Sequence, residues 1–137
     1  MAFLRIDEFY PNYRKKLFGG DDIKGLAVYA SGTDSEIGIV LDALVDWDGR
    51  FQYLVIDTSR WGFAKKVLLP INSCLVDYEE RRVYADGINK QKVQYLPTYY
   101  STAQVDEDYE QQVRLIYEMP NANYLLAEQK QSISYRH

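Results

Sequence analysis

The stretch Glu36-Ile37-Gly38-Ile39-Val40-Leu41-Asp42-Ala43-Leu44-Val45-Asp46 decides the fold. Read alternately, it places Ile37, Ile39, Leu41, Ala43 and Val45 on one face, the period of a strand with that face in a core. Asp48-Gly49 follows, a strong signal for a tight hairpin. Beyond the turn, Phe51, Tyr53 and Val55 share one face, with Leu54 and Ile56 on the other. A long strand and its returning partner therefore occupy the middle of the chain.

Working outward, residues 26–30 form a short strand candidate and Thr33-Asp34-Ser35 a turn. A loop at residues 59–64 leads into residues 65–71, where Val67, Leu69 and Ile71 share a face. Pro70 lacks a ladder donor and must sit at a strand end or a bulge. Residues 75–78 and 82–85 read as two further strands about the charged turn Glu79-Glu80-Arg81. Short strands at close spacing, without helices between them, favour a small antiparallel barrel over a parallel sheet. Asn89 caps a helical turn over residues 90–96, stopped by Pro97. Asp106, Glu107 and Asp108 open a longer helix, where acidic groups suit the positive end of the dipole. Tyr109, Val113, Ile116 and Tyr117 fall on one of its faces, and Pro120-Asn121 end it.

The expected architecture is mainly β: a small, closed or partly open antiparallel barrel with an N-terminal arm and a C-terminal α-helix. The arm covers residues 1–21, the barrel 22–100, and the helix with a polar tail 101–137. Pro11 and Gly19-Gly20 interrupt the arm, which is expected to dock through its aromatic residues.

With 137 residues, the chain fits one domain with extensions. Such a chain buries roughly two-thirds of its unfolded surface, enough for a core without disulfides or metal. The net charge of −4 argues against a generally nucleic-acid-binding surface. Thirteen tyrosines suit strands and interfaces, because each has an apolar body and a polar tip. A single cysteine cannot form an internal disulfide, and no apolar run is long enough to span a bilayer. The first residues are too short an apolar stretch for a secretory signal. A cytoplasmic protein with no integral membrane segment is expected, and peripheral membrane association stays open.

The chemistry expected from the side chains is sparse. The one histidine, His137, is the last residue, where a frayed end holds no general base in place. Cys74 follows an apolar run and reads as a small buried hydrophobe. No cysteine–histidine spacing matches a zinc site, and Gly19-Gly20 lacks the lysine and hydroxyl of a phosphate loop. Asp42 and Asp46 alternate with core residues and read as solvent-facing, and Asp48 as a turn former. No catalytic residue, metal or cofactor is expected. Val28, Ile39, Leu41, Val55, Val67 and Leu69 would fill a barrel of this size, leaving loops, edges and the outer wall for function.

Two surfaces are candidates for partner binding. The loop carrying Arg60, Trp61, Phe63, Lys65 and Lys66 combines aromatics and cations, a mixture enriched at binding hot spots. Alternatively, Trp61 and Phe63 fold back to plug the barrel end. The helix face of Tyr109, Val113, Ile116 and Tyr117 either covers the barrel or binds a second copy of the chain.

Several segments resemble a known family. Asp22-Ile23-Lys24-Gly25-Leu26-Ala27-Val28-Tyr29 resembles the opening of the PRC-barrel family, and residues 36–46 resemble its second strand. Val67-Leu68-Leu69-Pro70 resembles a later strand end, and Leu96-Pro97 with Tyr99 its closing segment. The order of these segments, over about residues 22–100, is more specific than any one of them. The family is named for the H subunit of photosynthetic reaction centres, and a related domain forms half of a ribosome maturation factor. The resemblance implies a compact non-enzymatic barrel used for protein binding or assembly. The transmembrane helix of the first relative and the separate N-terminal domain of the second have no counterpart among these residues. The expectation is a protein partner, with a homodimer as one form. The alternative is an RNA- or ribosome-maturation-associated factor, with Arg14, Lys15, Lys16, Arg60, Lys65 and Lys66 supplying phosphate contacts.

Overall fold

The computed structural model describes residues 2–11, 22–62 and 65–119, with Trp61 placed by its backbone alone. The strands are β1 (Leu4–Arg5), β2 (Ala27–Ala30), β3 (Glu36–Val45), β4 (Phe51–Asp57), β5 (Lys66–Pro70), β6 (Cys74–Asp77) and β7 (Arg82–Ala85). The helices are α1 (Ile6–Phe9), α2 (Lys90–Val93) and α3 (Glu107–Glu118). No helix among the described residues is long and apolar enough to cross a membrane.

The strands form one seven-stranded sheet in the order β5-β4-β3-β2-β7-β6, with β1 added beside the second half of β3. The chain is mainly β, as expected, but the sheet is mixed rather than antiparallel. β2 and β7 pair in parallel, Val28 opposite Val83 and Ala30 opposite Ala85. The ladders from β2 to β5 are each antiparallel, as is β6 with β7. It follows that β5 and β6 run in the same sense. The 3-10 turn Ile71–Ser73 between them is therefore a corner and not a hairpin. One bent strand crosses from the β4 side to the β7 side, so the barrel is closed there by the chain and not by a ladder.

The free edge of β5 is covered by the C-terminal part of the chain. The carbonyls of Lys66 and Leu68, two residues apart, point to the same edge. The first accepts from the Tyr99 backbone N–H at 2.8 Å. The second accepts from the Tyr117 hydroxyl at 2.8 Å. An edge that would otherwise pair with another chain is thus occupied.

β3 does not keep the alternation read from its sequence. The register slips between Val40 and Asp42, so Leu41 and Asp42 together oppose Val55. This is a β-bulge, which adds one residue and turns the following side chains over. Ile39 is only partly buried and Leu41 is 37% exposed, whereas Val40 and Leu44 are buried. An earlier register slip, where Ile37 and Gly38 together oppose Val28 of β2, has already turned Ile39 outward and Val40 inward. The expected core positions Ile39 and Leu41 are therefore corrected, because period two is broken on both sides of them. Val28, Val67 and Leu69 do line the interior, with Ile37, Ile56 and Ala85, and the space among them is about 0 Å³. Val55 is buried, but on the outer face of β4.

β4 buries Tyr53, Leu54, Val55 and Ile56 in succession, so both of its faces are covered. One faces the barrel interior. The other lies under residues from both ends of the chain: Phe3 stacks edge-on against Tyr53 at 5.6 Å, and the Tyr53 hydroxyl donates to Glu110 at 2.7 Å. Asp106 caps α3 by accepting from the Tyr109 N–H at 2.9 Å. Asn89 caps α2 in the same way at Lys92, although α2 ends at Val93 instead of 96. The ammonium of Lys92, 4% exposed, donates to Gly87 O at 2.8 Å and to Met119 O. A cation there meets the negative end of α3 and ties the helix to the turn after β7.

Gly38 sits where β3 meets β4. A Cβ there would lie 2.6 Å from both Asp57 O and Ile56 Cγ2. Gly38→Ala is expected to cost roughly 1–3 kcal/mol, read from urea unfolding, because the opposing group is backbone. An unchanged midpoint would contradict that packing.

Burial suppresses ionisation of the Tyr53, Tyr109 and Tyr117 hydroxyls, holding them well above the ordinary tyrosine value, and pushes Tyr99 up to about 12. Below the ordinary tyrosine value near 10 both folded and unfolded chains hold these protons, so stability is unaffected. Above it the unfolded chain releases protons that the folded chain keeps. Stability then falls by about 1.4 kcal/mol per pH unit for each such tyrosine. A cooperative loss of β-sheet circular dichroism, coincident with tyrosinate absorbance, is expected as pH rises from about 10. Ionisation of these four buried tyrosines with the sheet intact would contradict it.

Candidate functional site

The bulge in β3 opens a groove of about 500 Å³ on the outside of the barrel. Its floor is Leu41, Asp42 and Val55. Arg5 from β1 and Lys66 from β5 bring cations, and residues 99–102 form the far wall. The volume is typical of a ligand cleft.

The wall is held rigidly. Gln104 accepts from the Tyr100 N–H at 2.7 Å and donates to Thr98 O at 2.8 Å. The Tyr109 hydroxyl donates to Pro97 O at 2.9 Å. With its backbone fixed, Tyr100 stands 80% exposed beside the cleft. Tyr99 does the opposite: it is 7% exposed and lines the cleft from within.

The charges are unevenly satisfied. The Asp42 carboxylate accepts from the Ala43 N–H at 2.8 Å and faces the Lys24 ammonium at 3.9 Å. Partial burial still holds its ionisation above the usual carboxylate value, against the opposing pull of those two groups. Arg5 places Nε on Glu8 at 3.2 Å. Lys66 is exposed, sits opposite Asp57 in the ladder and has no ion pair within 4 Å among the described residues.

The residues expected from sequence are dispersed. Lys66 lies in the groove. Its neighbour Lys65 is spent on structure: its ammonium donates to Gln94 O at 3.0 Å and Leu96 O at 2.8 Å. Arg60 is exposed in the 3-10 turn Ser59–Trp61. The side chain of Trp61, and Phe63 altogether, lie outside the described residues, as do Arg14, Lys15, Lys16 and His137. On α3, Tyr109 and Val113 are buried against the barrel, and Ile116 and Tyr117 are half-buried against the same core. That face covers its own barrel, which corrects its availability to a second copy. A smaller cleft of about 360 Å³ beside it is lined by Tyr53, Glu110, Arg114 and Tyr117.

The aspartates of the β3–β4 hairpin and at the end of β4 are turn formers. Asp46 accepts from the N–H groups of Asp48 and Arg50, and Asp57 from that of Ser59. No cluster of three or more metal-ligating residues occurs among the described ones. Cys74 donates to Ile71 O at 3.3 Å, and burial pushes its thiol up to about 11. Sequence reading missed Arg5, Leu41, Tyr99, Tyr100 and the positioning residue Gln104. Of the other groove residues, Lys66 was expected, and Asp42 carried a signal as a carboxylate set among apolar residues.

The comparisons bear on family and not on activity. The model of the PRC-barrel domain family matches residues 15–92, more than half of the chain. An uncharacterized protein of Deinococcus radiodurans is 36% identical over 90 residues, covering 61% of this chain. The chain spans 32% of that relative's length, about a third of it. A sheet wrapped around an aliphatic interior agrees with the sequence match, and the chain belongs to the PRC-barrel domain family.

Proposed function

We propose that this chain is a non-enzymatic protein-binding module acting in the cytoplasm, and that its partner protein docks in the groove between β3 and residues 99–102. One observation carries the reading: Tyr100, its backbone held by Gln104 and its side chain 80% exposed, lines one groove together with Leu41, Arg5 and Lys66. Tyrosine and arginine around an apolar floor are the residues that dominate binding energy at interfaces. A rigid backbone reduces the ordering cost of binding. The absence of room among the strands supports an outer-surface role. So does the protonated, hydrogen-bonded thiol of Cys74, which is a poor nucleophile at neutral pH.

The RNA-associated reading has less support on this surface. Lys65 is engaged with two backbone carbonyls, which leaves Arg60 and Lys66 as the exposed cations of that stretch.

A photo-crosslinking residue at Tyr100 tests the proposal in the native cell, with Tyr95, 57% exposed, as the control position. A discrete protein adduct is expected from position 100 alone, lost when Leu41→Lys and Lys66→Glu are added. Identical adducts from both positions, or RNA in place of protein, would refute it.

A further inference from the structure

The hydroxyl of Tyr99 is an orphan. The residue is more than nine-tenths buried, yet its hydroxyl makes no hydrogen bond among the described residues. Buried polar groups are nearly always paired, and an unpaired one needs an explanation. The hydroxyl feels the charges of Asp42, Arg5 and Glu8, which places it at the Arg5–Asp42 end of the groove. Arg5, whose ion pair with Glu8 uses Nε, lines this end of the groove, and Lys66 lines the same groove from β5. Leu41, Val55 and Tyr100 supply apolar surface directly alongside.

Resting on the docking reading above, we infer that the groove recognises an acidic side chain of the partner, a glutamate or aspartate next to an apolar residue. The carboxylate accepts from the Tyr99 hydroxyl and from Arg5 and Lys66, while the neighbouring apolar side chain covers Leu41 and Tyr100. Tyrosine and guanidinium donors match a carboxylate, and hydrogen bonds to a charged acceptor are the stronger kind. Asp42 opposes the arrangement. Its own charge is countered by Lys24, with Asp7 and Arg5 also nearby, so it acts as a selectivity element that weakens binding while ionised.

The probe is a pool of capped peptides, each holding one glutamate flanked by leucine or phenylalanine, titrated into the full-length isotope-labelled chain and followed by amide NMR. Shifts are expected at residues 5, 41–42, 66 and 99–102, with the matching glutamine pool about tenfold weaker. Tyr99→Phe should weaken the glutamate pool by about tenfold while leaving the free protein equally or more stable, since it removes an unpaired buried hydroxyl. Asp42→Asn should tighten binding several-fold. Equal binding of the glutamate and glutamine pools would overturn the carboxylate and leave the docking groove standing. Shifts elsewhere, or none up to millimolar peptide, would overturn both. Preference for a pool whose only carboxylate is at its C-terminus would overturn the side-chain assignment.

Discussion

The extra residue in β3 is the constraint on which the rest depends. β3 is the longest strand and has three ladder neighbours: β4 along one edge, β2 and then β1 along the other. A strand bent that sharply around a barrel cannot keep one register throughout, and a bulge releases the mismatch by adding a residue and increasing the twist. Here the added pair is Leu41 with Asp42. An earlier slip at Ile37–Gly38 against β2 has already set Val40 inward, and the bulge after it leaves an apolar and an acidic side chain together on the outside. Without it Asp42 would turn toward an interior that is already full.

The outer face thus created needs walls, and both ends of the chain provide them. Residues 3–6 pack from one side, with Phe3 on Tyr53 and Ile6 in the core. Residues 96–117 pack from the other, tied by Tyr99 N–H and the Tyr117 hydroxyl to the free edge of β5. These contacts make β4 and β5 double-sided, and they convert an exposed sheet edge into a bounded groove. Lys92 completes the attachment by joining the end of α3 to the turn after β7. Stability and site share one set of contacts, because the segment that protects the edge is also the groove wall.

What was legible in the sequence was local. The strand runs, the Asp48-Gly49 hairpin, Pro70 at a strand end, and the caps Asn89 and Asp106 depend on neighbours within a few residues. What was illegible was set by distant contacts. Nothing near Leu41 announces a bulge, since an uninterrupted alternation of apolar residues fits either outcome until the curvature of the sheet decides. The parallel pairing of β2 with β7 follows from the corner at Ile71–Ser73, whose sequence fits a hairpin turn equally well. The groove was hardest to foresee because residues 5, 41–42, 66 and 99–102 meet only after folding. Lys65 and Lys66 show the limit: adjacent and identical, one is a structural donor and the other a free surface cation.

The inward or outward direction of the residues at the bulge is the central claim, and cysteine accessibility reads it directly. Val40→Cys and Leu41→Cys would each be made in a Cys74→Ser background and exposed to a maleimide under native conditions. Leu41→Cys should react in the folded protein, many times faster than Val40→Cys, which reacts only as fast as the protein opens. Fast labelling at 40 with protection at 41 would mean unbroken alternation along β3, and would remove both the bulge and the groove built on it.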